Sequence, residues 1–144
     1  MSEPIKLCFT VDGEDFTRAG EASSAMKKAL KQLGMDPEVI RRASIAMYEG
    51  EINMVIHANG GDITVEIEPD AITMQLADRG PGIPDIPLAM KEGYSTAPDD
   101  VRSLGFGAGM GLPNMKKYTD TMDIDTTLGV GTTVTMKIYT GEGV

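Results

Sequence analysis

A short sequence, LADRGPGIP at residues 76–84, places the strongest constraint on how this chain can fold. Apolar and other residues alternate before it, which predicts a strand that ends at Asp78. Gly80 and Gly82 then flank a proline, which predicts a sharp turn. Glycines here allow positive φ angles and let a flat ligand approach the backbone. The motif therefore predicts a carboxylate that faces a gap and can accept a hydrogen bond from an exocyclic amine, although an ordinary surface turn has the same pattern.

Three further motifs suit nucleotide chemistry. Glu49 and Asn53 are four residues apart in a helical stretch and hence share one face. Residues 105–112, GFGAGMGL, form a second glycine cluster of a density that is rare outside phosphate-binding loops. A glycine-rich loop that leads into a helix presents backbone amides to an anion. Residues 129–133, GVGTT, open the last predicted strand.

The order of these four motifs resembles the GHKL ATP-binding fold of gyrase, Hsp90, histidine kinases and MutL, over about residues 18–139. Within it, the chain looks like the small stand-alone branch: the anti-sigma factors and serine-protein kinases of bacterial stress and sporulation switches. Residues 92–117 look closest to the switch kinases. The resemblance implies an α+β fold, a two-layer α/β sandwich with a mixed, mostly antiparallel sheet and helices on one face. It also implies a single kinase domain over residues 1–144, with a lid at about 92–110.

The resemblance also implies how ATP and Mg²⁺ are held. Asp78 is expected to accept the adenine amine, Thr132 to support the adenine end, and Asn53 to coordinate Mg²⁺ through its side-chain oxygen. The remaining glycines are expected to shape the adenine pocket or to wrap the phosphates with backbone amides. The full expected nucleotide-binding set is Asn53, Asp78, Gly80, Gly82, Ile83, Gly105, Gly107, Gly109, Met110, Gly111, Leu112 and Thr132.

Two residues are expected to act in catalysis. Glu49 matches the glutamate that serves as general base toward an incoming hydroxyl in the serine-kinase branch. Arg102, inside the lid, is placed to neutralise charge that develops on the γ-phosphate. Arg79 replaces an asparagine that is common in histidine kinases, a departure that disfavours that class. His57 is interpreted as a residue of the helix end and not as a catalytic group.

The implied function is that of an ATP-dependent serine/threonine kinase that acts as an anti-sigma or partner-switching regulator. Its implied substrate is an anti-anti-sigma-type (STAS-like) protein, and its second partner is a sigma factor or a switch phosphatase; a homodimer is left open. Two alternatives remain: a nucleotide-sensing binding module without phosphotransfer, and a detached histidine-kinase ATPase domain. The latter class needs a dimerisation helix with a phospho-accepting histidine, and the single histidine here lies on the nucleotide-binding helix.

Composition excludes several other functions. A net charge of −9, from 22 acidic and 13 basic residues, opposes direct binding of nucleic acid. The single Cys8 excludes an internal disulfide and fits a reducing compartment. No apolar run approaches ~18 residues, so no membrane span is expected. The first residues lack the layout of a signal peptide. We therefore expect a cytoplasmic protein.

Periodicity and turn residues predict the order of elements along the chain. An interior glycine, Gly50, indicates either close packing or room for a ligand. The expected elements are a strand at 5–12, a helix at 17–33 that Gly34 ends, a helix from Asp36-Pro37 to about 58, a hairpin of 62–67 and 71–78, a short helix at 85–91, a loop at 92–110, a helix at 110–118, a hairpin of 121–127 and 132–139, and a frayed tail at 140–144.

Overall fold

Five strands and three helices make up the part of the chain that the computed structural model describes, which is residues 5–12, 20–56, 60–80, 82–83, 86, 90 and 111–140. In chain order these are β1 (Ile5–Asp12), α1 (Glu21–Gln32), α2 (Pro37–Ile56), β2 (Gly60–Ile67), β3 (Ala71–Asp78), α3 (Gly111–Lys117), β4 (Thr121–Thr127) and β5 (Gly131–Tyr139).

The strands form one sheet in the order β1-β2-β3-β5-β4, and each neighbouring pair is antiparallel. The central strand is β3, in which Leu76 lies opposite Ile63 of β2 and Val134 of β5. The predicted α+β class with a largely antiparallel sheet is confirmed. β3 is paired on both sides, and its last residue, Asp78, lies opposite Gly61 of β2.

The helices cover one face of this sheet. Alternate strand residues such as Ile63, Met74 and Met136 are fully buried in one core with Met26 of α1 and Met47 of α2. The intervening strand positions are mostly polar and are exposed or only partly buried; they include Thr64, Glu66, Thr73, Gln75, Thr133 and Thr135. A sheet that is apolar on one face and polar on the other is typical of antiparallel sheets with one solvated side.

The ends of α1 and α2 follow from local chemistry. α1 begins at Glu21 and not at residue 17, because Gly20 has a φ of 101°, which a right-handed helix does not allow. It ends in a Schellman motif at Gly34 (φ 74°), whose N–H donates to the Lys31 carbonyl. α2 begins as predicted, since Asp36 Oδ1 accepts the Glu38 N–H at 2.8 Å. Its predicted end falls at residues 57–59, outside the described part.

The remaining boundaries are close to the expected ones, with two differences. β2 starts at Gly60, two residues early, because it pairs with β1 as far as Asp12. The predicted frayed tail is wrong at Thr140, whose N–H donates to the Asp70 carbonyl at 3.0 Å. Of the predicted short helix at 85–91 only residues 86 and 90 are described, and they form one helical hydrogen bond. The loop at 92–110 lies outside the described residues.

A buried acid fixes the start of α1 to α2. The N-cap residue of α1, Gly20, provides no side-chain cap. Instead, Glu51 of α2, which is only 3% exposed, accepts the N–H groups of Ala22 and Ser23 at 3.0 and 3.1 Å. The Ser23 hydroxyl also donates to the Ser44 carbonyl at 3.0 Å. A carboxylate that takes the first amides of a helix stabilises that terminus. One buried carboxylate therefore joins the start of α1 to α2, in addition to the apolar core that the two helices share.

We expect Glu51→Ala to lower the free energy of unfolding by about 2–4 kcal/mol, because two buried amides lose their acceptor and each such loss costs roughly 1–3 kcal/mol. Urea denaturation with a fitted m-value measures this change. Glu66→Gln, on the solvated face of β2, is the control and should stay within about 0.5 kcal/mol of wild type. A Glu51→Ala protein as stable as that control would contradict the capping role.

Candidate functional site

The carboxylate of Asp78 joins the end of β3 to the start of β5. Its Oδ1 accepts the N–H of Gly80 at 2.9 Å and the N–H of Thr132, also at 2.9 Å. Both donors are backbone groups, so they hold this oxygen in place whatever side chains those two positions carry. Within the described residues, Oδ2 has no hydrogen-bond partner. Asp78 thus lies at the end of a strand, as the sequence predicts, and its role as an acceptor for a ligand stays a prediction.

Threonine hydroxyls extend this cluster to the turn after β3. Thr132 is buried, and its hydroxyl lies 2.9 Å from the hydroxyl of Thr126 on β4. Thr126 Oγ1 also accepts the N–H of Ile83 at 2.8 Å. Gly82 has a φ of 86°, and a Cβ there would lie 2.8 Å from the Thr127 carbonyl oxygen. The segment after β3 thus packs tightly on the β4–β5 hairpin, and only glycine fits at position 82.

The two polar residues of α2 both meet α3. Glu49 Oε1 accepts a hydrogen from Asn114 Nδ2 at 3.4 Å, and Asn53 Nδ2 donates to the sulfur of Met115 at 3.7 Å. Glu49 and Asn53 therefore lie on one face of α2, as their spacing predicts. Because the nitrogen of the Asn53 amide points to Met115, its oxygen is the atom left to serve as a ligand. A carboxamide oxygen is a suitable ligand for Mg²⁺.

Close backbone packing brings this pair toward the end of β3. Gly50 is buried, and a Cβ there would collide with Leu76 Cδ2 and lie 3.2 Å from Met115 Cε. At Gly61 of β2, a Cβ would lie 2.7 Å from both the Asp78 Cα and the Met54 Cε. Gly50 is thus explained by close packing of α2 on β3. That packing places the C-terminal half of α2 beside the strand end that carries Asp78.

Several expected site residues lie outside the described part of the chain, and their roles stay predictions. They are Arg102, Gly105, Gly107, Gly109 and Met110. His57, interpreted as a residue of the helix end, also lies outside the described part. Gly111 is the first residue of α3, and Leu112 follows it, partly buried against the core.

Two residues with clear contacts were not among the expected site residues. Glu51 could have been identified, because it falls four residues after Met47 and four before Val55, which puts an acid on the apolar face of α2. Asn114 carries no such signal. Its contact with Glu49 joins positions 65 residues apart, and Asn114 itself lies in a helix of only seven residues.

The family assignment follows from comparison with known proteins. The profile of the histidine kinase-, DNA gyrase B- and HSP90-like ATPases matches residues 38–141, and the chain belongs to this family. It is similar to an anti-sigma F factor of Clostridium acetobutylicum, with 31% identity over 140 residues, 92% of this chain and 90% of that protein. It is also similar to the serine/threonine-protein kinase RsbT of Bacillus subtilis, with 30% identity over 112 residues, 75% of this chain and 78% of that protein. The predicted membership of the stand-alone branch is confirmed.

Solved structures share the fold. The RsbU and RsbW domains of Rv1364c from Mycobacterium tuberculosis superpose with a TM-score of 0.61 at 18% identity, over 93% of this chain and 32% of that one. This chain therefore spans about a third of that solved protein. The mycobacterial sensor histidine kinase MprB gives a TM-score of 0.53 at 16% identity, over 94% and 97%. Among the described helices, none has the length and apolar character needed to span a membrane.

Proposed function

We propose that this protein is an ATP-dependent serine/threonine kinase that acts as an anti-sigma or partner-switching regulator. Membership of the ATPase family supports nucleotide binding, and similarity to one anti-sigma factor and one serine/threonine kinase supports the regulatory role. The observation that carries the proposal is the pairing of Glu49 and Asn53 on one face of α2, packed beside the end of β3. In this proposal Glu49 is the base and Asn53 the metal ligand, and the packing of Gly50 on Leu76 and of Met54 on Gly61 supports their placement near Asp78.

Asp78 selects the base in this proposal. With Oδ1 held by two backbone amides, Oδ2 accepts a hydrogen bond from the exocyclic amine of adenine. Guanine carries a carbonyl at that position, which would leave two acceptors facing each other without a proton between them. A buried unpaired charged group costs roughly 1–3 kcal/mol or more, so the site discriminates against guanine. Thr132 supports this end through its N–H on Asp78.

The phosphate end is held by α2 and by the glycine-rich segment. Asn53 Oδ1 is the proposed ligand for Mg²⁺, and Met115 fixes the amide in the orientation that presents this oxygen. Bound Mg²⁺ supplies charge neutralisation at the phosphates. The lid at about 92–110, with Gly105, Gly107 and Gly109 as amide donors and Arg102 near the γ-phosphate, remains a prediction.

Glu49 activates the incoming hydroxyl in this proposal. Its carboxylate takes the proton of a serine or threonine hydroxyl on the partner protein while that oxygen attacks the γ-phosphorus. The bond between the γ-phosphorus and the β–γ bridging oxygen breaks, and ADP leaves. The products are a phosphorylated partner and ADP, with the proton on Glu49.

The proposed substrate is a STAS-like protein of the anti-anti-sigma type, and the second partner is a sigma factor or a switch phosphatase. A homodimer is also proposed as one form of the protein. In the described part of the sheet, the eight-residue strand β1 pairs on one side only, with β2, so its other edge is open to strand pairing with a second copy. Sedimentation velocity measures this state directly.

A labelling experiment tests the proposed activity. The protein is incubated with Mg²⁺, γ-³²P-ATP and a purified STAS-like candidate partner, and the stability of the label to acid is measured. Acid-stable label on serine or threonine supports the proposal. Acid-labile label on a histidine would instead indicate a detached histidine-kinase domain. ATP-dependent partner binding without any label would indicate a nucleotide-sensing binding module.

A further inference from the structure

Two consecutive residues of α3 contact the two polar residues that α2 contributes to the site. Asn114 Nδ2 donates to Glu49 Oε1 at 3.4 Å, and Met115 Sδ accepts from Asn53 Nδ2 at 3.7 Å. α3 directly follows the glycine-rich segment in the sequence, and its own residues supply neither a base nor the expected metal ligand. Its contacts nevertheless determine how both of those side chains are oriented.

The position of α3 against α2 is fixed at several points. Met115 is 1% exposed and fills the space that Gly50 leaves open, with its Cε 3.2 Å from where a Cβ would stand. After the helix ends, Arg42 of α2 donates through Nε to the Tyr118 carbonyl at 3.1 Å and through Nη2 to Asp120 Oδ1 at 3.1 Å. The buried packing of Met115 and the two hydrogen bonds from Arg42 together keep α3 from moving along α2. Asn114 is therefore held at a set place relative to Glu49.

A carboxylate with a single donor on one oxygen has a defined plane. Glu49 Oε1 is committed to Asn114, whereas Oε2 carries no hydrogen bond within the described residues. Without that donor the carboxylate rotates about its terminal torsion angle, because the distribution of this angle is broad for an sp³–sp² bond. A general base must lie within hydrogen-bond reach of the proton it removes, and small errors of placement slow the transfer strongly.

We propose that Asn114 is a positioning residue for Glu49, which holds Oε1 so that Oε2 faces the incoming hydroxyl. This inference rests on the proposed function, since it assigns Glu49 the role of base. Asn114 itself touches neither nucleotide nor hydroxyl in this proposal.

Kinetics of phosphoryl transfer test the proposal. Asn114→Ala is expected to lower kcat roughly tenfold, with the KM for ATP within about twofold of wild type, because placement of the base is lost and nucleotide contacts are kept. Lys116→Ala, on an exposed position of the same helix, is the matched control and should leave both constants unchanged. A kcat for Asn114→Ala equal to that of the control would overturn the proposal.

A double-mutant cycle separates positioning from a general loss of structure. In the Glu49→Ala background, adding Asn114→Ala is expected to change the residual single-turnover rate by less than about twofold, because the residue acts through Glu49. A further tenfold loss in that background would mean that Asn114 acts independently, and would overturn the proposal.

A spectroscopic measurement tests the contact between Asn114 and Glu49 directly, without phosphoryl transfer, so that failure of this contact is distinguished from failure of the proposed function. The side-chain amide resonances of Asn114 are identified in ¹⁵N-labelled protein by their loss in Asn114→Ala. They are expected to shift in Glu49→Ala and to stay in place in Glu66→Gln. Unshifted Asn114 resonances in Glu49→Ala would show that the contact is not formed in solution.

Discussion

Replacing Glu49 with glutamine is expected to slow phosphoryl transfer to the partner protein by about 10²–10⁴-fold, the range that a general base contributes. Glutamine keeps the size of the side chain and an oxygen that can accept from Asn114, but it cannot take a proton from the attacking hydroxyl. ATP binding should therefore be retained. Single-turnover transfer of labelled phosphate measures the rate, and the rise in melting temperature with ATP measures binding.

The matched control for this substitution is Glu66→Gln, which makes the same chemical change on the solvated face of β2. It should transfer phosphate at the wild-type rate. A Glu49→Gln protein whose rate stays within about threefold of that control would rule out Glu49 as the base, because even weak general-base catalysis contributes more. If neither protein transfers phosphate and partner binding still responds to ATP, the protein is a binding module.

Asp78→Asn is expected to weaken ATP binding by about 10- to 100-fold while the nucleotide-free protein keeps its stability, since a lost charged hydrogen bond costs roughly 1.5–3 kcal/mol. Asparagine retains Oδ1, so the N–H groups of Gly80 and Thr132 keep their acceptor. Its Nδ2 then replaces Oδ2, and a donor faces the donor amine of adenine. Thermal melting with and without ATP measures both effects.

The Asp78 substitution also predicts a change in base preference. An amide donor at this position suits a carbonyl, so the ratio of ATP to GTP affinity should fall in Asp78→Asn. Asp123→Asn, at an exposed position of β4, is the control and should keep the wild-type ratio. An ATP-induced rise in melting temperature equal to that of wild type would show that Asp78 does not bind adenine.

Short-range chemistry accounts for the parts of the fold that the sequence predicts well. The alternation of apolar residues defines β1 and β3 to the residue, because a sheet with one buried face demands a period of two. Asp36 and Pro37 define the start of α2 through hydrogen bonding and backbone geometry within three residues. The predicted placement of Asp78 at a strand end depends on the same local rules.

Contacts between distant segments account for what the sequence does not predict. The first amides of α1 find their acceptor in Glu51, 28 and 29 residues further on. The role of Gly50 becomes clear only when Leu76 is packed against it. Likewise, Asn114 is unremarkable in the sequence, since its importance depends on the placement of α3 beside Glu49. Such contacts depend on the assembled core and not on the preference of the local sequence for helix, strand or turn.

The hydrogen bond from the Thr132 N–H to the Asp78 carboxylate spans 54 residues, and β5 completes the pairing of β3. During synthesis, Asp78 emerges long before β5, the strand that carries the Thr132 N–H. A nascent chain therefore lacks this hydrogen bond until the β4–β5 hairpin has left the ribosome and joined the sheet. Under the proposed function, ATP favours that last step, because a ligand that binds only the folded protein stabilises it.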